Sequence, residues 1–136
     1  MEYEFEVIGD IKGKERPRVN TNTGIVYTPV RTKDYETLIK QYFLLKYPRY
    51  VTAEERIGID IVAYMKIPKN TSKIKESKML DGAISPTKKP DIDNIAKVVL
   101  DALNKMVFKD DNQICKINVE KKYGKEEKLY IKIYDY

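Results

Sequence analysis

Lys89-Pro90-Asp91-Ile92-Asp93-Asn94-Ile95-Ala96-Lys97-Val98-Val99-Leu100-Asp101-Ala102-Leu103-Asn104 is the stretch on which the reading of this chain turns. Ile95, Val99, Ala102 and Leu103, followed by Met106, recur at the spacing of one helix face and predict a helix from about Ile92 to Asn104 with that stripe buried. Asp93, Lys97 and Asp101 stand four residues apart and share another face. Asp91 and Asp93 fall at the helix start, where acidic side chains satisfy free backbone N–H groups and complement the helix dipole. Capping is therefore the plain account of Asp-x-Asp, and an Asp93–Lys97–Asp101 ion-pair row the plain account of Lys97.

Downstream comes Phe108-Lys109-Asp110-Asp111-Asn112-Gln113, whose plain account is a helix-to-strand turn. A helix over 92–104 is about 18–20 Å long, and the seven residues from 104 to 111 reach at most about 23–25 Å. Asp111 can thus return to the Asp91/Asp93 end if Lys105–Lys109 run back beside the helix, with Met106, Val107 and Phe108 packed against it. Three converging carboxylates repel unless a cation neutralises them. Mg²⁺ fits that need, because it binds through a few carboxylates while keeping waters and phosphate oxygens. Lys97 can then face the same site and steady charge on a phosphate.

Upstream, residues 66–90 hold seven lysines, less Glu76 and Asp81, a net +5. That equals the charge of the whole chain, so the basic excess lies beside the acidic motif. A short helix is expected over Thr71–Leu80, and Asp81-Gly82 and Ser85-Pro86 then break it, making 70–89 a mobile basic loop. Lys73, Lys75, Lys78, Lys88 and Lys89 are candidate phosphate contacts that read no sequence, against the plain account of a solvated surface. Arg16 and Arg18, flanking Pro17 in the polar 9–24 connection, can clamp phosphates bidentately.

The remaining elements follow from alternation and punctuation. Strands are predicted over 2–8, 25–27, 56–67, 113–122 and 128–135, the last two joined as a hairpin through the turn around Gly124. A helix is expected over 33–46, capped by Thr32, with Tyr35, Leu38, Ile39, Tyr42 and Phe43 inward. The fold class is α+β: one domain over 1–136, a mixed sheet packed with two or three helices and ending in a β-hairpin.

Composition closes off other classes. With no histidine and one cysteine among 136 residues, histidine acid–base catalysis and zinc sites are excluded, so any catalytic metal is held by oxygen ligands, Mg²⁺ or Mn²⁺. No apolar run approaches the roughly 18 residues of a membrane helix. The acidic, alternating start is unlike a signal peptide, and an intracellular, cytoplasmic location with Cys115 as a small buried hydrophobe is expected. An EF-hand loop fails at Ile95 and Ala96, and no P-loop is present. A phosphotransferase aspartate would follow a buried apolar strand, whereas this motif follows Thr87-Lys88-Lys89-Pro90.

The chain resembles the RusA family of Holliday junction resolvases, small endodeoxyribonucleases of bacteria and their prophages. The resemblance is carried by Gly13-Lys14-Glu15-Arg16-Pro17-Arg18, Tyr27-Thr28-Pro29 and Tyr35-Glu36. More specifically, it is carried by Lys88–Asn94 with Lys97, Leu100–Asn104 and Lys109–Ile114. It implies a homodimeric, Mg²⁺-dependent enzyme that nicks four-way DNA junctions symmetrically in recombination and repair. It maps the family's catalytic aspartates onto Asp91, Asp93 and Asp111, with Asp110 assisting, and its important lysine onto Lys97. A two-fold protein offers two equivalent sites to two equivalent strands. The competing class is a non-catalytic basic DNA-binding module whose aspartates only cap a helix.

Overall fold

The computed structural model describes residues 1–136. The elements run β1 (Glu2–Ile8), β2 (Arg18–Val19), β3 (Val26–Tyr27), α1 (Val30–Lys46), β4 (Ile57–Lys66), α2 (Lys73–Leu80) and α3 (Ile92–Leu103). A 3-10 turn (Asp111–Gln113), β5 (Ile114–Gly124) and β6 (Lys128–Asp135) complete the chain. This is an α+β domain with three helices, as the sequence predicts, and no helix is long and apolar enough to cross a membrane.

The main sheet has the order β1-β6-β4-β5, and β2-β3 forms a separate small ribbon. β4 pairs antiparallel with β6 and parallel with β5, while β1 pairs antiparallel with β6. The expected C-terminal hairpin is therefore a correction: both strands exist, but β4 lies between them. Strands two apart in a sheet are separated by roughly 9–10 Å, a distance the three residues 125–127 can cross. They do so over the end of β4, where Lys66 N donates to Glu127 Oε1 at 3.5 Å. The local chemistry of that turn is the same for either pairing; the choice is made by the apolar alternation of β4 and β6, each of which needs a neighbour on both sides.

One face of the sheet carries the core. Ile57, Ile59, Ile61, Ala63 and Met65 of β4 and Leu129, Ile131 and Ile133 of β6 are buried, together with Phe5 and Val7 of β1. α1 and α3 pack on that face. α3 contributes Ile95, Val98, Val99, Ala102 and Leu103, the predicted stripe with Val98 added. Met106 is only partly buried, and Val107 and Phe108 take its place in the core. α1 begins three residues earlier than predicted. Thr32 lies inside it, fully buried, and does not cap it; its Oγ1 accepts from Glu15 N at 3.2 Å. Phe5, Phe43 and Tyr50 stack edge-on around the C-terminal half of α1, and Tyr47 donates to Glu4 O at 2.8 Å.

The opposite face is open and polar. Tyr134 donates to Asp60 Oδ1 at 2.9 Å, and Asn118 Nδ2 donates to the same oxygen at 2.8 Å. Gly58 lets the Tyr134 ring lie flat over β4, because a Cβ there would come within 2.5 Å of it. Beside Gly58 the β4–β5 register shifts, leaving Cys115 without a partner on β4. Cys115 is consequently exposed on the outermost strand and is not the buried hydrophobe expected.

The basic stretch before α3 is structured by a helix and buried anchors. Ser72 caps α2 by accepting from Lys75 N at 3.2 Å, and Met79 and Pro86 are buried.

Candidate active site

α3 presents its N-terminus to a cleft of about 700 Å³, with the segment Ile11–Arg16 as the opposite wall. Asp91, Asp93, Lys97, Lys89, Arg16 and Arg31 line it. The close approach of the two walls depends on Gly13: a Cβ there would sit 2.8 Å from Pro90 Cβ and 3.0 Å from Asn94 Cβ. Lys14 N donates to Asn94 O at 2.9 Å, tying the wall to the first turn of α3. The far end of the wall is anchored where Ile11 N donates to Glu127 Oε2 at 2.7 Å.

Asp91 stands at the N-cap with extended backbone (φ −70°, ψ 153°), yet its carboxylate accepts no capping hydrogen bond. Its backbone carbonyl takes the first helical bond, from Ile95 N. Asp93 Oδ1 accepts only from the adjacent Asn94 N, at 3.0 Å. Asp91 and Asp93 are both exposed in the cleft mouth. The plain capping account thus leaves Asp91 unexplained.

Lys97 lines the cleft and makes no ion pair; the Asp93–Lys97–Asp101 row does not form. Asp101 is taken by Lys14, whose Nζ lies 2.9 Å from Asp101 Oδ2 and 2.8 Å from Glu36 Oε1. Burial works against the Lys14 charge, but the two carboxylates outweigh it and hold the ammonium above its ordinary pKa. Lys14 is the cleft-wall residue that spacing along α3 did not reveal, because its partners sit on two different helices. Its signal in the sequence was its place in Gly13-Lys14-Glu15-Arg16-Pro17-Arg18, a stretch that carries the resemblance.

Asp110 and Asp111 lie elsewhere. After α3 the chain turns through Lys105, which adopts a left-handed φ of 66°, and Phe108 pairs back onto Asn104 and onto Ala53. The predicted reversal exists but is short. Gln113 fixes its end: Oε1 accepts from Lys109 N at 2.8 Å and Asp110 N at 3.0 Å. Nε2 donates to Ala53 O at 3.0 Å and Glu55 O at 2.9 Å. Held there, Asp111 feels the charge of Asp101 and does not line the cleft that holds Asp91 and Asp93. A hydrogen bond with Asp110 pushes the Asp111 carboxyl up, helped by desolvation and by the charges of Asp110 and Asp101. Within one chain no group of three or more carboxylates is placed to share a metal ion, so the expected convergence is corrected to two separate pairs. Eight residues of helix put Asp101 roughly 12 Å along the axis from Asp93.

The basic residues divide likewise. Arg16 and Lys89 line the cleft. Arg18 is exposed on β2 and lies 3.5 Å from Glu15. Lys73, Lys75 and Lys78 project from α2 into solvent. Lys88 is outside the cleft, its carbonyl accepting from Lys121 Nζ. Another hollow of similar size, around Tyr64 and Lys125, has its carboxylates Glu6 and Glu126 engaged by Lys128. The α3 cleft joins an unengaged aspartate to unpaired cations.

Residues 9–134, nearly the whole chain, match the model of the family described as endodeoxyribonuclease RusA. The chain is also 33% identical over 141 residues to YqaN of Bacillus subtilis (strain 168), described as an uncharacterized protein, covering 95% of this chain and 93% of that one.

Proposed function

The chain belongs to the RusA family of Holliday junction endodeoxyribonucleases, and from that premise we propose that it nicks four-way DNA junctions with Mg²⁺ bound at Asp91 and Asp93. The observation that carries this reading is the Asp91 carboxylate, at a helix start yet spent on no cap, facing a cleft walled by Lys97, Arg16 and Lys89. A capping aspartate on a binding module would have bonded the backbone.

The donor set fits the ion. Mg²⁺ is commonly held by one or two carboxylates with waters and substrate phosphates completing its shell, and exposed Asp91 and Asp93 offer that arrangement. When bound, the ion activates water and neutralises charge on the phosphodiester; Mn²⁺ suits the same oxygens. Lys97 orients the scissile phosphate from one turn further along α3. Arg16 and Lys89 hold the flanking backbone. Asp111, with Asp110 beside it, is a second acidic position outside the α3 cleft, where the neighbouring carboxylate holds the Asp111 carboxyl above its ordinary pKa. Arg18, Lys73, Lys75, Lys78 and Lys88 extend the positive surface along the DNA arms. The functional unit is a homodimer carrying roughly +10, acting in the cytoplasm on recombination or repair intermediates, including those of prophage DNA.

The test is a synthetic mobile junction, with cuts mapped on all four strands. Wild-type protein nicks two opposed strands in Mg²⁺ and stops when the metal is chelated, while Asp93→Asn binds the junction and leaves it intact. A wild-type chain that binds the junction but cuts nothing in Mg²⁺ or Mn²⁺ sinks the proposal.

A further inference from the structure

The β2–β3 ribbon stands clear of the core. Every residue from Arg16 to Tyr27 is exposed, and the two strands pair only with each other, Arg18 with Tyr27 and Val19 with Val26. Cross-strand partners share a face of a ribbon. Val19 and Val26 therefore lie side by side, 56% and 63% exposed, and Ile25, next in the chain, is 62% exposed. Single apolar side chains on a surface are ordinary, whereas adjoining ones mark a place of contact.

The ribbon is nonetheless built to a shape. Asn20 organises its turn: the carbonyl accepts from Gly24 N at 2.7 Å and Thr23 N at 3.3 Å, and Oδ1 accepts from Asn22 N at 2.9 Å. Gly24 supplies the left-handed φ of 71° that closes the turn. Pro17 and Pro29 restrict the chain at the two bases of the ribbon, and Pro29 is buried.

Position and charge say what covers the apolar tip. Both ends of the ribbon are rooted in the α3 cleft, which Arg16 and Arg31 line. Residues 16–31 carry three arginines and no carboxylate. Such a surface suits a polyanion. The apolar counterpart that DNA offers to a valine pair is the flat face of a base. Stacking covers those faces in a continuous duplex, and they open where strands part. Apolar side chains serve as wedges at an unstacked step.

We infer that the ribbon is the branch sensor of this cleft: Val19 and Val26, with Ile25, seat against unstacked base faces at a branch point, while Arg16 and Arg31 hold the backbone entering the cleft. The inference rests on the nuclease reading and adds how branched DNA is told from plain duplex. From Arg16 to the turn at Asn22 is at most about 20 Å of extended chain, so branch point and scissile phosphate are close neighbours.

Binding is measured on the full chain with metal chelated, against a four-way junction and a duplex of the same arms. Wild type is expected to prefer the junction. A triple variant, Val19→Thr with Ile25→Thr and Val26→Thr, keeps β-branched side chains suited to a strand and adds hydroxyls to the tip. It is expected to melt as wild type does, to lose junction affinity about tenfold, and to bind duplex as before. As a check that needs no variant, 2-aminopurine placed at the branch point brightens when wild type binds, and the same base in mid-arm does not. A variant that discriminates as wild type does, one that loses duplex and junction affinity alike, or a branch-point probe that stays dark each overturns the inference. So does a variant whose sedimentation changes while its selectivity holds, which would give the patch to contact between copies. Cleavage in Mg²⁺ is read separately. A wild type that cuts junctions, beside a triple variant equally selective, removes the branch sensor and leaves the nuclease reading. A ribbon-dependent junction preference with no cleavage removes the nuclease reading alone.

Discussion

The two aspartate pairs of this protein have the same composition and opposite circumstances. Asp91 and Asp93 sit in a cleft braced from outside, by Gly13 and Lys14 of the facing wall, and their side chains are largely free of structural duty. Asp110 and Asp111 sit on a turn braced from within by the Gln113 amide, and a hydrogen bond between them pushes the Asp111 carboxyl above its ordinary pKa. Reactive geometry can thus be prepared in two ways: by a scaffold that leaves carboxylates unspent, or by one that forces two of them together. Substitutions at the two pairs should show different signatures.

The largest effect is expected at the first pair. Asp91→Asn or Asp93→Asn should lower single-turnover junction cleavage by about 10³-fold or more, the scale of losing charge stabilisation at a reacting centre. Junction affinity should hold or rise, because a negative charge near phosphate is gone. Asp111→Asn should cut cleavage by about 10²-fold. It should also raise the melting temperature, since it relieves the repulsion with Asp110. A fall in melting temperature for Asp111→Asn, or a rise of the same size for Asp93→Asn, would erase the distinction between the pairs.

Gly13→Val probes the external brace. Its side chain cannot fit against Pro90 and Asn94, and overpacking of this kind costs about 1–3 kcal/mol. Denaturant melts should show that loss, and cleavage should drop by more than binding as the cleft opens. Gln113→Leu probes the internal brace: it leaves Asp110 N and Ala53 O without partners, at about 1–3 kcal/mol by the same melts. Its activity should track Asp111 rather than Asp93. The smallest effect belongs to Lys73→Ala, Lys75→Ala and Lys78→Ala on α2. Each should reduce the salt dependence of junction binding by about one unit of slope with cleavage of bound junction unchanged.

Much of this was legible in the amino-acid order. The α3 stripe of Ile95, Val99, Ala102 and Leu103 reports burial directly, and the alternation in 2–8, 56–67 and 128–135 does the same for strands. What stayed hidden was set at long range. A three-residue charged turn reads as a hairpin whether or not a strand fits between its arms, so the place of β4 was invisible. Thr32 looked like a cap because its hydroxyl suits one, but its partner proved to be Glu15 from the opposite wall. Lys97 and Asp101 have ideal spacing for each other, and only the third dimension shows Lys14 taking Asp101 away. Cys115 is exposed through a register shift that no local pattern announces.

The position of β6 has a consequence in time. It is the last strand made and the only one that touches both β1 and β4, so the first strand of the chain has no partner in the sheet until Lys128–Asp135 exist. Glu127, one residue before it, carries the bond that anchors the cleft wall at Ile11. During synthesis, when domains fold as units from the N-terminal side, this one has to wait for its C-terminal end. A ribosome-bound fragment lacking that strand carries every proposed catalytic side chain but leaves β1 without its partner in the sheet, so the proposed nuclease activity is expected only once Lys128–Asp135 have been made.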